Sequence, residues 1–138
     1  MRTIRVVLAD DHAVMRIGIR NLLSRSPDIE VVGEGSNGLE AIELVNKFKP
    51  DVLVLDMEMP IMDGVEAARR LRESQSPVKI LALSSYNDKY YILSLLEQGA
   101  AGYLTKDENP NTIIEAVRSV ANGKRGWLSR KAAVRVEE

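Results

Sequence analysis

The chain has 138 residues, of which 45% are hydrophobic and 28% are charged. This length and composition fit one soluble domain with a substantial core, and leave no room for a second full domain. A formal charge of -1 and a pI near 5.9 exclude a bulk electrostatic attraction to nucleic acid or to an anionic membrane.

Cysteine is absent, which excludes disulfides and thiolate metal sites and suits a reducing compartment. The amino-terminal sequence MRTIRVVLADD has no signal-peptide pattern, because an acidic pair ends its short apolar run. No apolar stretch approaches the roughly 18 to 20 residues of a membrane span. We therefore expect a cytoplasmic protein without a membrane segment.

The first half of the chain alternates short β-branched runs with amphipathic helical patterns. Asn37 and Glu40 have the spacing of a helix capping box, and Lys49-Pro50 stops the helix that they open. The predicted elements are strand Ile4 to Ala9, helix Ala13 to Ser24, strand Glu30 to Glu34, a helix from Asn37 to Lys49, and strand Asp51 to Leu55.

The second half repeats this alternation, with Asp63 and Asn109 as helix caps. The predicted elements are helix Gly64 to Glu73, strand Val78 to Leu83, a helix with Ile92, Leu95 and Leu96 that ends at Gly99, strand Gly102 to Thr105, and a helix from Pro110 to near Gly123. We expect one domain over residues 1–123. Residues 124–138 are interpreted as a linker or C-terminal tail, either a short helix or an unanchored segment.

Five strands that alternate with five helices predict a doubly wound α/β fold, a flavodoxin-like sandwich around a five-stranded parallel sheet. In such sheets, ligands bind outside the carboxyl ends of the strands, where the strand order switches direction. The order 2-1-3-4-5 would make the first and third strands neighbours at that point.

Polar side chains stand at the carboxyl ends of four predicted strands: Asp10 and Asp11, Asp56, Ser84, and Lys106. Three crowded carboxylates repel one another unless a cation joins them. Because only oxygen ligands are available, a hard cation such as Mg²⁺ is expected. A carboxylate beside a metal and a lysine suits attack on phosphorus, which gives an acyl phosphate.

Taken singly, each of these residues also fits an ordinary structural role. The aspartates could cap a turn or a helix, Ser84 could form a turn, and Lys106 could be an exposed lysine. Their joint placement at strand ends is what favours a site. His12 is interpreted as a capping or surface residue, because the sequence supplies no partner for a catalytic or metal-binding histidine.

Four motifs carry a family resemblance: LADDH at 8–12, VLDMEMPIMDG at 54–64, ALSS at 82–85 and GYLTKD at 102–107. In combination and order they resemble the receiver domain of two-component response regulators, and more narrowly the receivers of LuxR-like or NarL-like transcription regulators. The resemblance covers about Ile4 to Gly123. It implies a switch controlled by phosphorylation, with a sensor histidine kinase as the partner.

The resemblance also implies a role for each matched residue. Asp56 would accept the phosphoryl group from a kinase phosphohistidine, and Lys106 would pair with it. Mg²⁺ would be bound by Asp10, Asp11, Asp56 and the backbone carbonyl of Glu58. Ser84 and the Tyr103 ring would form the switch, and the side chains of Glu58 and Tyr86 would tune dephosphorylation.

Two further expectations follow from the family. The fourth helix, fifth strand and fifth helix would present a changed surface to a partner or to a second copy of the chain. DNA would be bound only through an output domain that is not in this chain. Asp107 departs from the family pattern, because many receivers have a proline after the lysine.

Two alternatives remain open on the residues. Asp56-Met57-Glu58 also resembles the Asp-x-Asp motif of magnesium-dependent phosphohydrolases of the haloacid-dehalogenase type, although the acidic pair precedes it here. The second alternative is a flavodoxin-like module that binds a cofactor through its phosphate. Asp10 and Asp11 stand after the first strand, where they would repel a bare phosphate.

Overall fold

The computed structural model describes residues 2–85 and 88–137. Its strands and helices alternate along the chain, as the sequence predicts. The strands are β1 Ile4–Ala9, β2 Ile29–Gly35, β3 Val52–Leu55, β4 Lys79–Ser84, β5 Gly102–Thr105 and β6 Trp127–Leu128. The helices are α1 Ala13–Ser24, α2 Gly38–Phe48, α3 Gly64–Glu73, α4 Lys89–Glu97, α5 Pro110–Ala121 and α6 Arg130–Glu137.

The strands form one parallel sheet in the order β2-β1-β3-β4-β5-β6. The predicted order of the first five strands is confirmed, and predicted strand ends differ from the observed ones by one residue at most. β1 and β3 are neighbours, with Ala9 opposite Leu55. The residues that follow these two strands, Asp10 and Asp56, therefore emerge side by side.

Two apolar layers cover the sheet, because successive side chains of a strand point to opposite faces. Val7, Leu53 and Leu55 lie in the layer that includes α2, α3 and α4. Val6, Leu8 and Val54 lie in the layer of α1 and α5. Burial on both faces explains why the inner strands are unbroken apolar runs rather than alternating ones.

Local capping signals place the helix starts. Asn37 and Asp63 accept hydrogen bonds from the amides of Glu40 and Glu66, at 2.8 and 2.9 Å. The Glu40 carboxylate, however, accepts from the amide of Ser36 at 2.7 Å rather than from that of Asn37. In the usual capping box, this carboxylate accepts from the amide of the N-cap residue. At α2 it accepts instead from the residue before the N-cap.

A sixth strand, which the sequence does not predict, continues the sheet beyond β5. Trp127 and Leu128 pair with Gly102 and Tyr103. A Cβ atom on Gly102 would lie 2.5 Å from the Trp127 carbonyl oxygen, so this pairing depends on glycine at position 102. The domain boundary at residue 123 remains a prediction.

Of the two alternatives for the end of the chain, the structure has the short helix. Ser129 is buried, and its hydroxyl accepts a hydrogen bond from the amide of Ala132 at 3.2 Å, which caps α6. Ala132 is fully buried in the same layer as α4. None of the helices in the described part of the chain has both the length and the apolar character needed to cross a membrane.

Candidate functional site

Asp56 lies at the carboxyl end of β3, in the middle of the sheet. Its amide donates to the Ala9 carbonyl at 3.0 Å, which continues the β1–β3 ladder by one residue. Its Oδ1 atom accepts a hydrogen bond from the Met57 amide at 2.8 Å. The residue is only 3% exposed, so the strand holds a carboxylate in a protected position.

The loop after β3 folds back closely over Asp56. The amide of Gly64 donates to the Met57 carbonyl at 2.9 Å. A Cβ atom on Gly64 would lie 2.2 Å from the Asp56 carbonyl oxygen, a separation that no side chain permits. The glycine of the MDG motif therefore allows the start of α3 to approach the site.

Lys106 brings the ends of β1, β3 and β5 together. Its Nζ atom lies 2.6 Å from Asp10 Oδ2 and 3.3 Å from Asp56 Oδ2. The three side chains are at most 5% exposed. The Lys106 amide also donates to the Ser84 carbonyl at 2.8 Å, which fixes the start of the loop after β5.

The environment of Asp56 shifts its proton affinity. Burial raises the pKa of the Asp56 carboxyl above its usual value, and the charge of Asp10 acts in the same direction. The Lys106 ammonium group and the hydrogen bond from the Met57 amide partly offset this effect. Two neighbouring carboxylates repel each other, and burial strengthens this repulsion. A cation bound between them is therefore strongly stabilising.

Asp11 completes the acidic group at a more open position, with 30% of its side chain exposed. Ligand atoms of Asp10, Asp11, His12 and Asp56 all lie within 4.8 Å of one another. The carboxylate oxygens are hard donors, and the ammonium group of Lys106 offsets only part of the negative charge of Asp10 and Asp56. This donor set fits Mg²⁺, which prefers carboxylates and water.

His12 has partners that the sequence does not reveal. Its Nδ1 atom lies 3.3 Å from Asp11 Oδ1 and 3.6 Å from Asp10 Oδ1. The residue is the N-cap of α1, and its side chain is 72% exposed, in agreement with its interpretation as a capping or surface residue. The imidazole contacts Asp10 and Asp11 locally, and the pairing of β1 with β3 adds Asp56 to the group.

Ser84 and Tyr103 contact each other on neighbouring strands, β4 and β5. Both residues are fully buried. Burial raises the pKa of the Tyr103 hydroxyl to about 12, and a hydrogen bond with Ser84 acts against that rise. The two proposed switch residues are therefore coupled directly through their side chains.

Two predicted tuning residues have different outcomes. Glu58 is exposed and lines an open cleft of about 630 Å³ beside the acidic group; its wall consists of Asp11, His12, Glu58, Met59, Pro60, Asp63 and Tyr91. Tyr86 lies outside the described residues. Tyr91, which the sequence analysis does not single out, contributes an aromatic side chain to this cleft.

The segment after Lys106 is linked to the end of the chain. Asp107 forms an exposed ion pair with Lys131 of α6. Every peptide bond within the described residues is trans, including the one between Lys106 and Asp107. At the position where many receivers have a proline, this chain thus has an acidic residue that contacts α6.

Comparison with known proteins identifies the family of this chain. The family model of the response regulator receiver domain matches residues 6–118. The transcriptional regulatory protein DegU of Brevibacillus brevis is 43% identical over 120 residues, which cover 87% of this chain and 51% of DegU. The nitrate/nitrite response regulator NarL of Escherichia coli is 40% identical over 119 residues, covering 86% of this chain and 55% of NarL.

Solved structures show the same relationship. The signal receiver domain of NarL from Mycobacterium tuberculosis superposes with a TM-score of 0.87 at 39% identity, covering 90% of this chain and all of that one. A LuxR-family two-component response regulator from Aurantimonas sp. SI85-9A1 has a TM-score of 0.92 at 32% identity, covering 98% of this chain and 96% of that one.

These matches support the receiver interpretation, and they do not support a phosphohydrolase of the haloacid-dehalogenase type. The chain spans about half the length of the two curated relatives, 51% and 55%. Receiver domains act as signalling switches and generally use Mg²⁺ at an acidic pocket, and response regulators work with sensor kinases. The chain belongs to the receiver domain family of two-component response regulators, in its LuxR/NarL-like branch.

Proposed function

We propose that Asp56 accepts a phosphoryl group from the phosphohistidine of a sensor kinase, with Mg²⁺ bound at Asp10 and Asp11. The observation that carries this proposal is the placement of one buried carboxylate against Lys106 and a second carboxylate. In the reaction, an oxygen of Asp56 bonds to phosphorus while the phosphorus–nitrogen bond of the phosphoimidazole breaks. The imidazole leaves with the electron pair of that bond.

The protein's own groups prepare this transfer. Asp56 is held by the Met57 amide at 2.8 Å, so the carboxylate has a fixed orientation. Lys106 supplies a buried positive charge at 3.3 Å from Asp56 Oδ2, where negative charge increases as the phosphoryl group arrives. Bound Mg²⁺ would add further neutralisation, through the carboxylates of Asp10, Asp11 and Asp56 and the Glu58 carbonyl.

Ser84 and Tyr103 are proposed to transmit the modification. The Ser84 hydroxyl, now paired with Tyr103, would donate to a phosphoryl oxygen instead, and Tyr103 would change its position in response. Such a modification biases two arrangements of the same elements. Glu58 and Tyr86 are proposed to set the rate of dephosphorylation.

The readout is proposed to be the state of α4, β5 and α5, read by a partner or by a second copy of this chain. Control of transcription through a DNA-binding output domain belongs to the proposal for the whole regulator, with residues 1–123 as receiver and 124–138 as linker or tail. The cytoplasmic location expected from the sequence belongs to the same proposal, and cell fractionation tests it.

Phosphorylation of the purified chain tests the acceptor assignment. With acetyl phosphate and Mg²⁺, intact-mass spectrometry should show the addition of one phosphoryl group to the wild-type chain and none to Asp56→Asn. Asp107→Asn is the matched control, because it removes an exposed aspartate one residue from Lys106. Phosphorylation of Asp56→Asn at the wild-type level would reject the assignment.

Measurements of turnover on the same purified chain distinguish a signalling switch from an enzyme. We propose that the chain catalyses only its own phosphorylation and a slow dephosphorylation. One phosphoryl group per chain that decays slowly is the expected result. Rapid multiple turnover of p-nitrophenyl phosphate would instead identify a phosphohydrolase.

A further inference from the structure

The C-terminal segment, residues 124–137, is joined directly to one of the two proposed switch residues. Leu128 of β6 pairs with Tyr103, and the amide of the next residue, Ser129, donates to the Tyr103 carbonyl at 3.0 Å. Ser129 is buried, and its hydroxyl caps α6. A single serine therefore connects the backbone of Tyr103 to the start of the last helix.

Helix α6 packs against α4 and β5. Ala132 is fully buried there, and Leu128 and Val136 are partly buried in the same apolar layer. Tyr103 and Leu95 of α4, both fully buried, belong to this layer as well. Because such layers are closely packed, a displaced Tyr103 ring changes the packing beneath α6.

Two polar contacts attach the C-terminal segment at other points. Arg125 donates to the Gly99 carbonyl at 2.9 Å, just after the end of α4. Lys131 forms the exposed ion pair with Asp107, the residue that follows Lys106. Exposed ion pairs contribute little to stability, so the strand pairing and the buried side chains provide most of the attachment.

The helical structure of α6 depends on this attachment, because the helix has only eight residues. Isolated helices shorter than about 12 residues are marginal in water. A detached α6 should therefore lose its internal hydrogen bonds, such as the one from the Ala133 amide to the Ser129 carbonyl at 2.9 Å. Exchange of its amide hydrogens with solvent thus reports whether α6 is attached.

We propose that attachment of α6 and modification of Asp56 oppose each other. Helix α6 packs on α4 and β5 while Asp56 is unmodified, and it is released when Asp56 carries a phosphoryl group. The inference rests on the proposed function for the movement of Ser84 and Tyr103. When Tyr103 changes its position, the packing of Ala132 in the shared layer is lost. Because such coupling is reciprocal, the attached segment also disfavours the modification.

Point variants of the full chain test this coupling. Ala132→Glu places a charged side chain in the buried layer and should detach α6. Val134→Glu is the matched control, since it introduces the same residue into the same helix at a position that is 54% exposed. Ser129→Ala removes the side-chain cap of α6 and is a milder variant that should act in the same direction as Ala132→Glu.

Hydrogen exchange of the α6 amides is measured with Mg²⁺, in the presence and absence of beryllofluoride, which mimics a phosphoryl group. In the wild-type chain and in Val134→Glu, beryllofluoride should accelerate this exchange about fivefold or more. In Ala132→Glu, the exchange should be fast without beryllofluoride. Unchanged or slower exchange in the wild-type chain with beryllofluoride bound would overturn the proposal.

The affinity for beryllofluoride supplies the reciprocal measurement. Its binding is followed through the NMR signal of the Met57 amide, which donates to Asp56 Oδ1. Ala132→Glu should bind beryllofluoride about fivefold more tightly than the wild type does, whereas Val134→Glu should match the wild type. Equal affinities of Ala132→Glu and the wild type would show that attachment and modification are independent. If the strand amides of Ala132→Glu lose their protection, Ser129→Ala decides this comparison.

Failure of this inference can be told apart from failure of the proposed function. If beryllofluoride shifts the Met57 amide signal of the wild-type chain and leaves the exchange of α6 unchanged, the coupling alone is rejected. If beryllofluoride with Mg²⁺ does not shift the Met57 signal, the proposed acceptor chemistry is rejected.

Discussion

Lys106 Nζ lies closer to Asp10 than to Asp56, at 2.6 against 3.3 Å. The lysine that is proposed to pair with a phosphoryl group on Asp56 is therefore held mainly by the neighbouring acid. Both carboxylates share one buried positive charge. The stability of the domain and its affinity for a cation are consequently coupled through Lys106.

Replacement of Lys106 tests this coupling. Lys106→Met leaves two buried carboxylates without their cation, so the free energy of unfolding at pH 7 should fall by about 3 kcal/mol. Because Mg²⁺ then replaces the missing charge, added Mg²⁺ should raise the stability of the variant more than that of the wild type. Urea unfolding with and without Mg²⁺ measures both effects.

Lys131→Met provides the control for this substitution, because Lys131 is 62% exposed and pairs only at the surface with Asp107. Its effect on stability should be small and independent of Mg²⁺. An equal loss of stability in the two lysine variants would show that the buried charge has no special role.

Replacement of Asp56 should give a gain of stability that depends on pH. Since the native-state pKa of Asp56 is raised, the folded chain binds this proton more tightly than the unfolded chain does. The protonated Asp56 carboxyl contributes its full stabilisation below about pH 4, the pKa of an aspartate in the unfolded chain. This contribution is lost as the pH rises through the pKa of Asp56 in the folded chain. Because asparagine does not ionise, the Asp56→Asn variant does not lose this stability as the pH rises.

Asp56→Asn should therefore be more stable than the wild type at pH 7, and the gain should vanish below about pH 4. Asp107→Asn should behave in the opposite way, because a hydrogen bond from Lys131 lowers the pKa of Asp107. That variant should lose stability at neutral pH and match the wild type in acid. Thermal unfolding across this pH range measures both, and a destabilised Asp56→Asn at pH 7 would contradict the prediction.

Gly64→Ala tests the close approach of the loop to the phosphoacceptor. The new Cβ atom would meet the Asp56 carbonyl oxygen at 2.2 Å, so the start of α3 must move. We expect a loss of about 2 to 3 kcal/mol in unfolding free energy, together with slower phosphorylation of Asp56. Chemical unfolding and phosphorylation rates with acetyl phosphate measure these effects.

Gly18→Ala is the matched control, since a Cβ built at this position meets no atom within 4 Å in the described residues beyond its chain neighbours and the backbone of α1 itself. Alanine in an open helix position should stabilise the domain by about 0.5 to 1 kcal/mol. Unchanged phosphorylation is expected. A similar loss in both variants would remove the steric explanation for Gly64.

Gly102→Ala tests the attachment of β6. Its Cβ atom would lie 2.5 Å from the Trp127 carbonyl oxygen, so the pairing of β5 with β6 should break or shift. Trp127 is the only tryptophan of the chain, and its fluorescence therefore reports on this strand alone. We expect a red-shifted emission and stronger quenching by iodide, with no such change in Gly18→Ala. An unchanged emission would show that β6 adapts to the side chain.

The sequence by itself determined the features that depend on local spacing. The caps at Asn37, Asp63 and Asn109 involve residues two or three positions apart, so the helix starts can be predicted from the residues alone. Unbroken apolar runs revealed the inner strands, since both faces of a parallel sheet are buried. The alternation of strands and helices then predicted the fold class, and the order 2-1-3-4-5, if adopted, would bring Asp10 and Asp56 together.

Only the tertiary structure decided the contacts between distant residues. The preference of Lys106 for Asp10 and the pairing of β6 with β5 involve separations that depend on how the sheet and loops pack. Trp127 and Leu128 have no periodicity that marks a strand, and their partners, Gly102 and Tyr103, lie 25 positions earlier. Local patterns carry no information about such contacts, because atoms from distant segments set these distances.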